Sequence, residues 1–263
     1  MEKLKVIKIG GNVVDNPLLL SQFAKDFAAM PGKKVLVHGG GVLASRIQKA
    51  LGLEPVMVEG RRVTDEQTLK VVTMVYAGWC SKNITALLQS EGCNAIGLSG
   101  ADGNVIRAVR RAPVEVKGEI VDYGFVGDVT AESVNSGFLK KLFGEGIVPV
   151  LCAINHDGNG NLLNTNADTI ASSVSIAMAR EGFETELVYC FEKNGVLADR
   201  DDEESVINLI DRGKFEELKA AGIVAEGMIP KLENAFRAID AGVDKVIIIH
   251  ASNLLNDVGS VLK

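Results

Sequence analysis

Short apolar runs alternate with segments of helical period along the chain. Leu4–Ile9, Lys34–His38, Asn94–Leu98, Ile147–Ile154, Glu186–Cys190 and Lys245–His250 are rich in Val, Ile and Leu, which predicts buried strands. Between them, Leu18–Met30 carries Leu19, Phe23, Phe27 and Met30 on one helical stripe. Val42–Leu51, Glu66–Ser90, Ala131–Phe143, Asn166–Arg180 and Met228–Ala241 read as further helices. Val105–Val129 mixes Gly, Pro and alternating positions and predicts hairpins. His156–Asn161, with Asp157-Gly158-Asn159-Gly160 inside it, has the composition of a hairpin turn.

Strand–helix alternation of this kind predicts an α/β fold, a three-layer sandwich with a largely parallel central sheet. We expect two lobes on one continuous sheet, residues 1–175 and 176–263, divided near Ser172–Glu184. The length of 263 residues suits one large or two small domains.

Composition narrows the function. With 28 Lys+Arg against 34 Asp+Glu the net charge is −6, which argues against a general electrostatic grip on nucleic acid or anionic lipid. No apolar run approaches the roughly 18 residues of a membrane span, and Met1–Lys8 lacks the apolar core of a signal peptide. Cys80, Cys93, Cys152 and Cys190 show no close pairing and read as reduced thiols of a cytoplasmic protein. His38, His156 and His250 are too scattered for a histidine-rich metal site, so no protein metal site is expected.

Two predicted strands end in glycine clusters, Lys8-Ile9-Gly10-Gly11 and His38-Gly39-Gly40-Gly41. Ligands of α/β sheets sit at the carboxyl ends of strands, where glycine lets backbone N–H groups approach an anion and a helix N-terminus adds its dipole. A tight turn without a ligand is the plain alternative. A rival reading is dinucleotide binding: Gly39-x-Gly41-x-x-Ala44 satisfies the looser fingerprint, and Glu59 follows Gly39 by 20 residues. A P-loop kinase is excluded by its own motif, since no G-x-x-x-x-G-K-[ST] occurs.

These two clusters, followed by Gly60-Arg61-Arg62-Val63-Thr64-Asp65, resemble the amino acid kinase superfamily. Asn164-Thr165-Asn166-Ala167-Asp168 and Gly227-Met228-Ile229-Pro230-Lys231 narrow the resemblance to its acetylglutamate kinase family, which serves arginine biosynthesis. The five motifs keep the family's order from residue 8 to 231.

The resemblance implies an enzyme that phosphorylates the side-chain carboxylate of an N-acylated glutamate with ATP, giving an acyl phosphate. By it, Lys8 and Lys231 would contact the migrating phosphoryl group from the acceptor and nucleotide sides, and Asp168 would hold both ammonium groups. Gly40, Gly41, Arg62, Asn164 and Asn166 would bind the acylglutamate. Gly10, Gly11 and Gly195 would face the nucleotide. Mg²⁺ would arrive with ATP, held mainly by phosphates and water. Other members of the superfamily, such as carbamate, glutamate, aspartate or uridylate kinase, and a non-catalytic nucleotide or NAD binder, remain the alternatives.

The chain also departs from the family. Arg61 stands where a leucine is usual, and an extra cation there suits a second carboxylate on the acyl group, as in N-succinylglutamate; a surface arginine pointing away is the other reading. Phe191 and Glu192 stand where the family tends to have Thr/Ser-Asp, so its adenosine contacts do not simply carry over. The chain begins directly at the first strand, without the N-terminal helix that builds hexamers in arginine-inhibited members, which implies an arginine-insensitive homodimer. Val71, Val72, Met74, Val75, Trp79 and Ile84 are candidates for its surface, buried core being the other reading.

Overall fold

The computed structural model describes residues 2–199, 201–224, 228–256 and 258–263. In chain order the first half holds β1 (Lys3–Ile9), α1 (Gly11–Val14), α2 (Pro17–Ala29), β2 (Lys33–His38), α3 (Gly41–Ala50), β3 (Met57–Val58), β4 (Arg61–Arg62), α4 (Glu66–Thr73), α5 (Ser81–Ser90) and β5 (Ala95–Leu98). Then come β6 (Val109–Arg110), β7 (Val114–Val116), β8 (Glu119–Val121), β9 (Gly127–Asp128), α6 (Ser136–Gly144), β10 (Val148–Cys152), β11 (Ile154–His156), β12 (Leu162–Asn164) and α7 (Ala167–Arg180). The rest is β13 (Glu184–Phe191), β14 (Leu209–Ile210), α8 (Arg212–Ala220), α9 (Ile229–Asp240), β15 (Lys245–His250) and β16 (Ser260–Leu262).

Eight strands form the central sheet in the order β14-β16-β15-β13-β1-β2-β10-β5. Every pairing in it is parallel except β15–β16. The four strands that precede residue 175 lie together on one side of the β1–β13 seam and the four that follow lie on the other. Alternation along the strands feeds two apolar layers. Ile7, Leu36, Val150 and Val188 pack with Leu20, Phe23 and Phe27 of α2 and Ile84 and Leu88 of α5. Leu4, Val6, Val37 and Leu187 face the opposite way, toward Leu139 of α6, Ile170 and Val174 of α7, and Leu232 and Phe236 of α9. The three-layer α/β sandwich expected from the strand–helix alternation is the observed fold.

Helix boundaries follow local chemistry. Asn16 caps α2 by accepting from the N–H groups of Leu18 and Leu19 at 3.1 Å, with Pro17 in the first turn. The buried Lys34 ammonium donates to the carbonyls of Phe27, Ala28 and Met30 at the other end, satisfying groups the helix leaves open. Val105–Val129 does form hairpin-like pairs, β6 with β9 and β7 with β8.

Two predicted helices differ in the structure. Ala131–Phe143 is not one helix: Asn135 accepts from Phe138 N–H at 3.1 Å and starts α6 at Ser136, while Ala131–Ser133 is a separate 3₁₀ turn. Glu66–Ser90 is continuous, but Met74–Cys80 within it is a π-helical turn joining α4 to α5. The short elements α1, β3, β4, β14, α8 and β16 escape a periodicity reading, being brief or, for α8, largely polar.

Candidate active site

Both glycine clusters lie at carboxyl ends of adjacent central strands, Gly10-Gly11 after β1 and Gly39-Gly40-Gly41 after β2. A cavity of about 230 Å³ opens there, lined among others by Gly40, Gly41, Arg62, Asn164, Asn166 and Asp168. The motifs that the sequence scatters over more than a hundred positions thus share one wall.

Arg62 is buried and held on several sides. Its guanidinium donates to Gln48 Oε1, to Gly41 O at 3.0 Å and to Ser45 Oγ at 2.8 Å. Gln48 is fixed in turn by its bond to Thr68 Oγ1 at 3.0 Å. Five N–H donors on a rigid fork leave capacity for a carboxylate after these bonds. Asn164 donates through Nδ2 to Thr64 Oγ1 at 3.1 Å, which leaves its carbonyl oxygen to accept. Asn166 is the N-cap of α7: its Oδ1 accepts from Thr169 N–H at 3.0 Å, which leaves its Nδ2 to donate.

Gly40 has φ +154°, and a Cβ on it would lie 2.9 Å from Tyr76 Cδ1 and 3.0 Å from Cys80 Sγ. Only glycine fits, because the π turn presses Tyr76 and Cys80 against the loop. Before the loop, His38 Nδ1–H donates to Gly39 O at 2.8 Å, and complete burial pushes its pKa down to about 4, so the ring is neutral. Tyr76 also lines the cavity beside the Arg62 guanidinium; burial, only partly offset by that charge, raises its pKa, so it remains a phenol.

A second cavity, of about 360 Å³, lies on the other side of β1. Gly10, Gly11, Phe191, Glu192, Gly195 and Lys231 are among its lining residues. Gly195 is packed so closely that a Cβ would stand 2.7 Å from Ser260 Oγ. Gly227 of the last motif lies outside the described residues.

Lys8 lines both cavities. Its Nζ lies 2.7 Å from Asp168 Oδ1, in the first turn of α7, where the helix dipole favours an acid. Lys231, in the first turn of α9, is half-buried; burial lowers its pKa, opposed by Asp168 and Glu192 and reinforced by Lys8. The three residues assigned by motif to the chemistry therefore do meet. The geometry is asymmetric: Asp168 pairs with Lys8, and among the described residues no ion pair joins it to Lys231, whose ammonium lies 4.2 Å from the Phe191 ring centroid.

Arg61 is among the residues that line the first cavity. Burial and the neighbouring Arg111 guanidinium lower its pKa, with Asp128 opposing. Glu59, the acid of the dinucleotide reading, sits in the β3–β4 turn with φ 45°, not after a strand of the central sheet. Ser45, Gln48, Thr64 and Tyr76 were not singled out from sequence; Thr64 lay inside a quoted motif, but the others have no local signal and are recruited by the fold.

The sequence model of the amino acid kinase family matches residues 3–250. An acetylglutamate kinase of Phocaeicola vulgatus is 56% identical over 262 residues, covering 100% of this chain and 99% of the relative. One of Cytophaga hutchinsonii is 52% identical, covering 97% of this chain and 94% of the relative, and one of Methanopyrus kandleri is 41% identical, covering 99% and 100%. Among solved structures, N-acetylglutamate synthase from Neisseria gonorrhoeae superposes with a TM-score of 0.81 at 22% identity; the match covers 99% of this chain and 59% of that one. Carbamate kinase from Giardia lamblia gives 0.69 at 16% identity, covering 99% and 98%, so these neighbours speak to the fold. Family match, full-length relatives and shared architecture agree: the chain belongs to the amino acid kinase family, in its acetylglutamate kinase branch.

Proposed function

We propose that the protein transfers the γ-phosphoryl group of ATP to the side-chain carboxylate of N-acetyl-L-glutamate, the reaction its full-length relatives are named for. The observation that carries this reading is the position of Lys8, on the wall shared by two cavities and paired with Asp168. The acceptor carboxylate is already an anion near neutral pH, so no general base is needed. Its oxygen attacks the γ-phosphorus, the bond to the bridging oxygen breaks, and ADP leaves with the electron pair. What must be overcome is repulsion between anions, and positioned cations and N–H groups are suited to that task.

Arg62 is assigned to the glutamate α-carboxylate. Asn164 would accept from the acyl-amide N–H, and Asn166 would donate to the α-carboxyl end. N–H groups of Gly40 and Gly41 complete the acceptor side, while those of Gly10, Gly11 and Gly195 serve the nucleotide. Lys8 stabilises the migrating group from the acceptor side, Lys231 from the leaving side, and Asp168 orients the ammonium groups. Mg²⁺ is carried in by the phosphates of ATP. The acceptor lobe is assigned to residues 1–175 and the nucleotide lobe to 176–263.

Hydroxamate trapping with ATP and N-acetylglutamate tests the reaction: hydroxamate formation that requires both substrates supports it, and its absence defeats it. One observation favours a second acceptor. Arg61 faces the same cavity as Arg62, so a succinyl carboxylate would find a cation. A kcat/KM higher for N-succinylglutamate supports this, and a clear preference for the acetyl compound ends it.

We further propose a homodimer. The candidate surface divides in the fold: Val71, Val72, Val75 and Ile84 are core, whereas Met74 and Trp79 remain 59% and 65% exposed. Trp79→Glu should shift sedimentation toward the monomer if that face is the interface. Cytoplasmic residence fits the four buried, unpaired cysteines. Among the described residues no helix is long and apolar enough to cross a membrane.

A further inference from the structure

Phe191 ends β13, and its ring lies under both ammonium groups of the site. Lys231 Nζ is 4.2 Å and Lys8 Nζ 5.5 Å from the ring centroid. The placement follows from the sheet. Lys8 of β1 pairs in register with Tyr189 of β13, and strand alternation puts Phe191 on the same face two residues on. The rings of Tyr189 and Phe191 stack at 6.0 Å with an interplanar angle of 13°. Tyr189 is buried and donates its hydroxyl to Asp168 O at 3.3 Å. Desolvation, with the Asp168 charge, holds Tyr189 well above the usual phenol range, so the donor is retained.

The aromatic pair therefore touches all three residues assigned to phosphoryl transfer. Tyr189 bonds the backbone of Asp168, Asp168 pairs with Lys8, and Phe191 faces Lys8 and Lys231. A small hydroxyl residue at 191 presents a single oxygen, whereas the negative face of an aromatic ring attracts any cation within about 6 Å of its centroid. Two ammonium groups aimed at one site repel each other before phosphate lies between them. One carboxylate offsets part of that repulsion, and a shared π face offsets more without adding an anion that would repel ATP.

We infer that Phe191, braced by Tyr189, is a positioning residue for phosphoryl transfer, a cation–π floor that holds the ammonium groups of Lys8 and Lys231 in place. Its loss should reduce kcat rather than the KM for the acylglutamate, which binds on the other side of Lys8.

The inference rests on the proposed kinase reaction, so turnover by the unaltered protein is established first; failure there defeats the reaction itself. Phenylalanines of increasing fluorination are then incorporated at position 191, keeping the ring shape while draining its negative face. A stepwise fall in kcat reaching roughly 3- to 30-fold, the range of one cation–π contact, is the expected result. The alkaline limb of the kcat profile should move to lower pH in the same order. Among the described residues, Asp168 and Glu192 are the carboxylates beside this ammonium pair, Lys193 shares the second cavity with both lysines, Arg61 and Arg62 share the first with Lys8, and the Cys190 thiol lies near Lys8; all remain throughout. Phe191→Trp should keep turnover, and Phe191→Leu should lower kcat by at least the roughly 3- to 30-fold of a lost cation–π contact. A flat kcat and an unmoved alkaline limb across the fluorinated series would overturn the inference, leaving Phe191 a packing residue even if Phe191→Leu is impaired.

Discussion

The Lys8 ammonium lies 2.7 Å from Asp168 Oδ1, a carboxylate 160 positions further along the chain, where the two cavities meet. Strand β1 brings the lysine to the sheet's carboxyl edge, and the cap of α7 at Asn166 fixes where the acid projects.

This pairing makes Lys8 a sensitive position. Lys8→Ala and Lys231→Ala should each lower kcat by on the order of 10²–10³-fold, the loss expected for one transition-state donor. Asp168→Asn keeps the shape but removes the charge that holds the lysine. Its turnover should fall with little change in thermal midpoint. Near-normal turnover in Lys8→Ala, measured by hydroxamate trapping, would remove Lys8 from the mechanism.

Arg62 should act on binding more than on chemistry. Arg62→Lys keeps the charge but cannot form the planar fork, so KM for the acylglutamate should rise by about 10- to 100-fold while kcat changes less. Gln48→Ala releases one of the fork's anchors and should raise the same KM by a smaller factor. A variant in which kcat collapses and KM is unchanged would place Arg62 elsewhere in the reaction.

Much of this site was legible as residue order. Arg62 and Asp168 each stand in a motif with a residue given a definite backbone task, Gly60 at φ 74° and Asn166 as the cap of α7, and such demands survive in sequence; Lys8 and Lys231 were legible from the order of their motifs. Tyr76, Gln48 and Phe191 were not legible in the same way. Tyr76 reaches Gly40 because Met74–Cys80 winds as a π turn, and a π turn has no periodic signature distinct from its flanking helices. Phe191 looked like a lost hydroxyl, because its two cationic neighbours come from β1 and α9, remote along the chain. The parallel sheet was readable from its apolar runs. The start of α6 was not, since Ala131–Ser133 carries the same apolar spacing in a 3₁₀ turn.

The Gly40 loop gives a backbone test. Gly40→Ala places a methyl 2.9 Å from Tyr76 Cδ1 at φ +154°, a region side chains rarely adopt. The strain should cost about 1–3 kcal/mol of stability and displace the glycine loop that lines the first cavity. A lowered unfolding midpoint in urea together with a raised KM for the acylglutamate is the expected pair. Shortening the ring in Gly40→Ala/Tyr76→Leu should recover part of the stability. An unchanged midpoint in Gly40→Ala would show that the loop yields freely.

The seam between the two halves of the sheet carries a pH-dependent element. Glu186 of β13 is buried between Lys245 at 2.9 Å and Lys5 at 3.4 Å, in register with both. Burial alone would raise the Glu186 pKa, but the two lysines prevail and hold it below its ordinary value of 4.5. The folded state thus binds this proton less readily than the unfolded chain. The ion pairs therefore stabilise the fold fully above the unfolded value, and their contribution is lost as pH falls through the folded value. Glu186→Gln should cost about 1–3 kcal/mol near neutral pH, less than a fully buried pair because both lysine heads are partly in water. In urea unfolding the gap between the two proteins should persist at about pH 6 and narrow progressively once pH falls below 4.5, as wild-type Glu186 becomes protonated. A gap that stays constant through that acid range would mean that the Glu186→Gln variant is weakened by packing, and that the charge of Glu186 does not hold the seam.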